Sequence, residues 1–276
     1  MNKKCALLFS GGTDSTCAAA VLAKEDFREI HLLTFFEEGT KGSPMPLGNA
    51  EKLRAHFPHT TWHHRAISTD KIVRHLAYEN YFRNLLSHGT FLLAMPGFST
   101  LSWHIAAIAY CKKEGITVVG DGLTRELMHF PGHMDAVIRV FSGLYEAFGI
   151  RYVQPVRDWE VPPDRQFLDR LLIDHHLSAD TPPTARTTGN YLYRLGIFSE
   201  PNVKGTATDR RMQHDCYPFV LFNIFVFWLW LPLLGYKRYE RGIVSLFERK
   251  TNLALVLLKN HFAAPDNSKL NSILKC

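Results

Sequence analysis

The chain has 276 residues, 46% of them hydrophobic and 21% charged, which is enough apolar material for a full core and excludes a chain disordered throughout. Its 32 Lys+Arg against 26 Asp+Glu leave a formal net charge of +6, compatible with an anionic ligand such as ATP or RNA, yet no long Lys/Arg run marks a nucleic-acid stripe. Cys5, Cys17, Cys111, Cys216 and Cys276 make no CxxC pair, so spacing shows neither a zinc ribbon nor a disulfide framework, and a reducing cytoplasm is the expected setting.

Cys5 to Phe9 is an apolar run that stops at Ser10-Gly11-Gly12, too short for a signal peptide, and reads as a buried first strand. Asp14 to Leu22 follows as a helix of small residues. Ile30 to Phe36 is a second buried strand, Ala50 to Phe57 a short helix and Thr60 to Ile67 a more polar strand. Ile72, Val73, Leu76, Phe82, Leu85 and Leu86 recur at helical spacing and predict a helix over 70–86. After a break at Pro96-Gly97, Leu101, Ile105 and Ile108 mark a helix ending near Lys112-Lys113 and Gly115, and Ile116 to Val119 is a strand stopped by Gly120-Asp121-Gly122. Met134, Val137, Ile138, Phe141, Leu144, Tyr145 and Phe148 form the clearest amphipathic stripe, and Tyr152-Val153 before Pro155 is the last strand. This alternation predicts an α/β fold with a doubly wound parallel sheet, whose ligands bind at the carboxyl ends of the strands.

Beyond about residue 160 the pattern changes, with Pro162-Pro163, Pro182-Pro183 and a polar stretch from Asp180 to Asn190. The predicted division is an α/β domain over 1–160 and a helical C-terminal region over 161–276, in which Asp174-His175-His176 reads as a helix end. Tyr217 to Gly235 carries no charge and as a helix would cover about 28 Å, but Pro218 and Pro232 bracket it. It suits a membrane-inserted or membrane-associated helix, and equally a buried helix or a homodimer interface.

The chemistry concentrates at Ser10-Gly11-Gly12-Thr13-Asp14-Ser15-Thr16, where the first strand turns into the first helix. Two glycines let backbone amides approach a phosphate, the hydroxyls can donate, and the helix amino end adds partial positive charge. The Lys of a Walker A loop is missing. Asp121 stands just past a buried strand at the ligand edge, where a carboxylate either holds Mg²⁺ or orients a nucleophile, or else closes an Asp-Gly turn.

SGGTDST resembles the SGGxDS signature of the PP-loop (N-type) ATP pyrophosphatases, which have a HUP-like fold. The resemblance implies ATP and Mg²⁺ as cofactors and cleavage between the α- and β-phosphates. AMP would pass to a carboxylate or carbonyl oxygen. It implies contacts to the nucleotide from Ser10, Gly11, Gly12, Thr13, Asp14, Ser15, Thr16, Thr34, Phe35 and Gly120, with Asp14, Ser15 and Asp121 catalytic and Asp121 the metal ligand.

The order of Met95-Pro96-Gly97-Phe98-Ser99, Val118 to Gly122, His129-Phe130-Pro131-Gly132-His133 and Gln154-Pro155 is similar to that in 7-cyano-7-deazaguanine synthases (QueC-like proteins). This chain has Phe98-Ser99 where they have Arg-Asn, and their zinc-binding cysteine cluster is missing. The similarity implies a small-molecule or nucleobase substrate near Phe98, His129 and His133, with a nitrogen nucleophile displacing AMP. Relatives that thiolate tRNA use a pair of cysteines, for which Cys111 is the candidate here. A nucleotide-binding partner protein that senses ATP or anchors a complex at a membrane is the reading from another class.

Overall fold

In the computed structural model, residues 3–37, 45–79, 82, 86, 95–125, 128, 130–159, 187–203, 206–208, 222, 226–265 and 268–274 are described. Side chains alternate across a strand, so a run that is apolar at every position needs a cover on both sides. The centres of β1 (Lys4–Leu8) and β2 (Glu29–Phe36) are such runs, while β3 (Thr61–Ser68) is polar and partly exposed; with β4 (Val118–Gly120) and β5 (Arg151–Val153) all five strands pair in parallel in the order β3-β2-β1-β4-β5. Cys5 lies opposite Ile30 and Leu7 opposite Leu32, and these four point into one layer. Ala6, opposite Val119, points into the other. The fold is α/β and doubly wound, with a helical C-terminal region.

The first layer is built by α1 (Thr13–Lys24) and α2 (Met45–His56), through Cys17, Ala18 to Ala20, Leu22, Ala50 and Leu53. Small side chains let α1 lie close to the sheet. A Cβ on Gly120 would come within 3.2 Å of Leu7 and 3.3 Å of Leu22, so glycine in β4 is what allows that approach.

The opposite layer holds α3 (Asp70–Val73, prolonged by a π turn over Arg74–Tyr78), α4 (Met95–Glu114) and α5 (Asp135–Glu146). The helix expected over 70–86 is interrupted: Glu79 is extended, and while Ile72, Val73 and Leu76 before it are buried, Phe82 and Leu86 beyond it are helical again but 77% and 89% exposed, so only the first half of the stripe faces the core. Pro96-Gly97 is no break but part of the first turn of α4, where the N–H that proline lacks would have had no helical partner. Gly115 adopts φ +63° and the Ile116 N–H bonds to the Cys111 carbonyl at 2.8 Å, so Ile116 closes α4 and β4 begins later, at Val118.

Beyond β5 the described chain forms α6 (Thr188–Arg194), a π turn (Val226–Trp230), α7 (Leu231–Leu234), α8 (Tyr236–Ala263) and α9 (Lys269–Leu274). The short α6 packs on α1. The 28 residues of α8 bury Tyr239, Ile243, Leu246, Phe247, Lys250, Ala254, Leu257 and Leu258 at helical spacing, in the same cluster as α4 and α5. Phe247 is fully buried against Phe98 (6.1 Å between ring centroids) and Phe141 (5.6 Å). Lys250 interrupts the apolar stripe, yet its Nζ donates to the Leu76 carbonyl at 2.8 Å, and burial holds its pKa below the ordinary lysine value.

No described helix is long and apolar enough to cross a membrane. Of the stretch Tyr217–Gly235, residues 217–221 and 223–225 lie outside the described residues, as does Asp174-His175-His176. The remainder bends through the π turn and stops at Gly235, at φ +70°, while Phe222, Val226 and Leu231 join the core.

If α8 is part of the core, Phe247→Ala leaves a cavity and lowers unfolding free energy by ~3–5 kcal/mol. Urea denaturation followed by circular dichroism measures it. A loss under ~1 kcal/mol would show α8 to be peripheral.

Candidate functional site

The strand order reverses between β1 and β4, because the chain winds outward to β2 and β3 and then returns on the other side of β1. A crevice opens at the carboxyl ends of two such strands. One wall is Ser10–Thr16. Gly11 has φ +77°, and a Cβ there would meet Pro46 Cα at 2.5 Å, so the amino end of α2 rests directly on it. Buried Asn49 donates to the Gly11 carbonyl at 2.6 Å and holds the turn.

Gly12 is open: at φ −72° a Cβ would meet only Ser10 Oγ, at 3.4 Å. Ser10 Oγ accepts from the Gly12 N–H at 3.3 Å and lies 3.2 Å from Ser15 Oγ, while Thr16 Oγ1 donates to the Gly12 carbonyl at 2.8 Å. Thr13 Oγ1 is buried without a hydrogen-bond partner among the described residues. The first-turn N–H groups of α1 have no helical acceptor by geometry, so exposed Ser10, half-buried Gly12, buried Thr13 and the helix end form a donor-rich wall with no cationic side chain of its own.

Asp14 Oδ1 accepts from the Thr188 hydroxyl at 2.6 Å, which fixes the amino end of α6 against that of α1. Gly189 stands 3.7 Å from Thr13 Cγ2 by its would-be Cβ.

The other wall follows β4. A Cβ on Gly122 would lie 2.5 Å from both Cα and N of Ser15, so the turn after β4 touches the first turn of α1 backbone to backbone. Asp121 shapes that turn. Its Oδ1 accepts from the Leu123 N–H at 3.0 Å, and its Oδ2 accepts from the Tyr152 hydroxyl. Asp121 is 3% exposed, each of its oxygens accepts one hydrogen bond, and the carboxylate closes an Asp-Gly turn. Burial raises its pKa from the usual 3.8 to about 6, opposed by the bonds from Tyr152 and Leu123 and by the charge of Arg157.

Tyr152 is itself held from behind, stacked on Tyr145 at 4.9 Å and edge-on to fully buried His104 at 5.2 Å, whose Nδ1 lies 2.9 Å from the Tyr145 hydroxyl. Arg157 ties the surrounding loops together. Its guanidinium donates to the carbonyls of Thr124 (2.7 Å) and His133 (2.8 Å) and to Asp135 Oδ1 (2.7 Å).

Thr34 and Phe35 also end at this edge. The Thr34 hydroxyl donates to the Phe9 carbonyl at 2.8 Å and lies 2.8 Å from His64 Nε2, while the Phe35 ring stacks 6.2 Å from Trp103. Phe98 is fully buried in the core under Phe247, not on the crevice wall. His133 lies in the turn Pro131–His133, where burial and then Arg157 push its imidazole down to about 4, and it carries no positive charge at neutral pH. His129 lies outside the described residues.

Sequence reasoning missed Asn49, Tyr152, Arg157 and Thr188 as parts of this site, because each reaches it from a distant segment. It also missed Glu37, one residue past β2, which accepts from Ser99 Oγ at 3.0 Å and whose pKa burial raises.

No protein-family model matches the sequence, and no curated protein does. Among solved structures, one from Methanocaldococcus jannaschii, described as a predicted subunit of tRNA methyltransferase, is similar at 22% identity over 57% of this chain and 70% of that one, with a TM-score of 0.36.

The folded chain holds the Asp121 proton more tightly than the unfolded chain does. The stability this group contributes is therefore complete below about pH 4 and is lost as pH rises past 6. Asp121→Asn keeps an acceptor for Leu123 and removes that dependence. Relative to wild type, the variant should gain on the order of 2–3 kcal/mol between about pH 4 and pH 7. Denaturation curves at both pH values measure the difference, and a difference that does not change with pH would refute the buried titration.

Proposed function

We propose that the chain binds ATP, as its magnesium complex, on the Ser10–Thr16 wall and transfers AMP to an oxygen of a small-molecule or nucleobase substrate, releasing pyrophosphate. The observation that supports this reading is the position of the SGGTDST segment: exposed Ser10, the open side of Gly12 and the α1 amino end lie together at the switch point of a parallel sheet, where ligands of such sheets bind.

In this reading the α1 amino end, Ser10, Thr13 and Ser15 hold the phosphates by hydrogen bonds, and Thr13 Oγ1 gains the partner that it lacks among the described residues. Gly120 and Gly122 keep the facing wall close to α1. Asp14, bonded to Thr188, orients α6 over the site rather than removing a proton. Magnesium, carried by the phosphates, offsets their charge. Thr34 and Phe35 border the base, and the acceptor oxygen displaces pyrophosphate in line at the α-phosphorus. A nitrogen nucleophile then displaces AMP, as in the QueC-like proteins that the sequence resembles.

The thiolation reading is less well served. Cys5, Cys17 and Cys111 are fully buried, and burial pushes the Cys5 and Cys111 thiols up to about 12, so neither of those two is a ready thiolate. Cys216 and Cys276 lie outside the described residues, and sulfur transfer to tRNA or a carbonyl substrate would need one of them or an outside donor.

Gly12→Val fits the backbone at φ −72° but fills the open side of the loop, so the variant should fold and lose at least ~10-fold in ATP affinity. Calorimetric titration measures this, and unchanged affinity in the folded variant removes the site. Turnover with an acceptor is expected to yield AMP and pyrophosphate. ADP and phosphate as sole nucleotide products, resolved by ion-exchange chromatography, would refute the proposed reaction.

A further inference from the structure

The opposite edge of the sheet carries a second cluster, unrelated to the nucleotide wall. Glu29 and His31 begin β2 on the same face, and parallel register sets His63 of β3 directly beside His31, with their rings stacked at 4.5 Å. Both imidazoles address one oxygen: Glu29 Oε1 lies 2.9 Å from His31 Nε2 and 3.5 Å from His63 Nε2. One donor atom from each of the three residues falls within 4.8 Å of the others.

We propose that Glu29, His31 and His63 bind a divalent transition-metal ion, zinc being the ion to test, which links the amino ends of β2 and β3. Two imidazoles and a carboxylate are a borderline donor set suited to zinc and its neighbours. Ligands at 2.0–2.1 Å around a tetrahedral ion stand about 3.3 Å apart, so 2.9 and 3.5 Å need only small side-chain adjustments. The other nitrogen of His31 lies 2.8 Å from the Tyr110 hydroxyl, the outer-shell partner that orients a metal-bound imidazole. Lys4, paired with Glu29 in register, donates its ammonium instead to the Glu114 carbonyl at 2.6 Å. The His63 and Glu29 side chains are 40% and 35% exposed, so water can complete the coordination.

The test is titration of the chelator-stripped full chain with Zn²⁺ against a chromophoric competing chelator, with Co²⁺ absorption as the record of geometry. Wild type should take one equivalent into this site, raise its Tm with zinc and give the intense visible bands of four-coordinate cobalt. His63→Ala and Glu29→Gln alter half-exposed side chains, and circular dichroism shows whether each is folded. Each should weaken zinc binding by more than the ~10–100-fold that loss of an outer-shell partner costs, and abolish the cobalt bands. His59→Ala, an exposed histidine outside the cluster, should change neither. No stoichiometric uptake by wild type, or undiminished uptake in both folded variants, would overturn the proposal and leave a carboxylate hydrogen-bonded by two imidazoles.

Discussion

The backbone contact between Gly122 and Ser15 is the constraint on which the crevice depends. Parallel neighbours such as β1 and β4 bring their carboxyl ends side by side, but a turn carrying a side chain at position 122 would be held away from α1 by the radius of that Cβ. Glycine removes the obstacle. The Asp121 carboxylate then holds the turn in place from below, taking one bond from Leu123 and one from Tyr152.

That arrangement links the C-terminal helix to the site through packed rings. Phe247 of α8 meets Phe141 of α5 edge-on, Phe141 lies 4.3 Å from His104, and His104 flanks Tyr152. Phe247, Phe141 and His104 are fully buried and Tyr152 is half-buried, so close packing restricts their side-chain positions. The helix far along the sequence therefore helps to fix the rotamer of the tyrosine that orients Asp121. Its buried lysine is tolerated because a carbonyl and the Phe98 ring, 5.6 Å from Nζ, stand in for water.

The two edges of the sheet differ in chemistry. The carboxyl edge carries hydroxyls, glycines and a helix amino end, a set that receives anions. The amino edge of β2 and β3 carries a carboxylate and two imidazoles, a set that receives a cation. A parallel sheet separates such sets by the length of its strands, so neither interferes with the other.

Several features were legible in the residues alone. Alternation of short apolar runs with helical stripes specifies a parallel doubly wound sheet, because strand and helix periods differ and every strand must be covered twice. The Ser10–Thr16 loop could be located for the same reason: its meaning lies in consecutive residues at a strand-to-helix turn. The break at Glu79 within the helix expected over 70–86 was not legible, because spacing reports a stripe without reporting what faces it, and Phe82 and Leu86 face water. That the Asp121 carboxylate is held by the hydroxyl of Tyr152, thirty-one positions away, and that His31 pairs with His63 through strand register were not legible in the residues alone. Long-range contacts of that kind are settled by packing in three dimensions, to which a one-dimensional pattern carries no address.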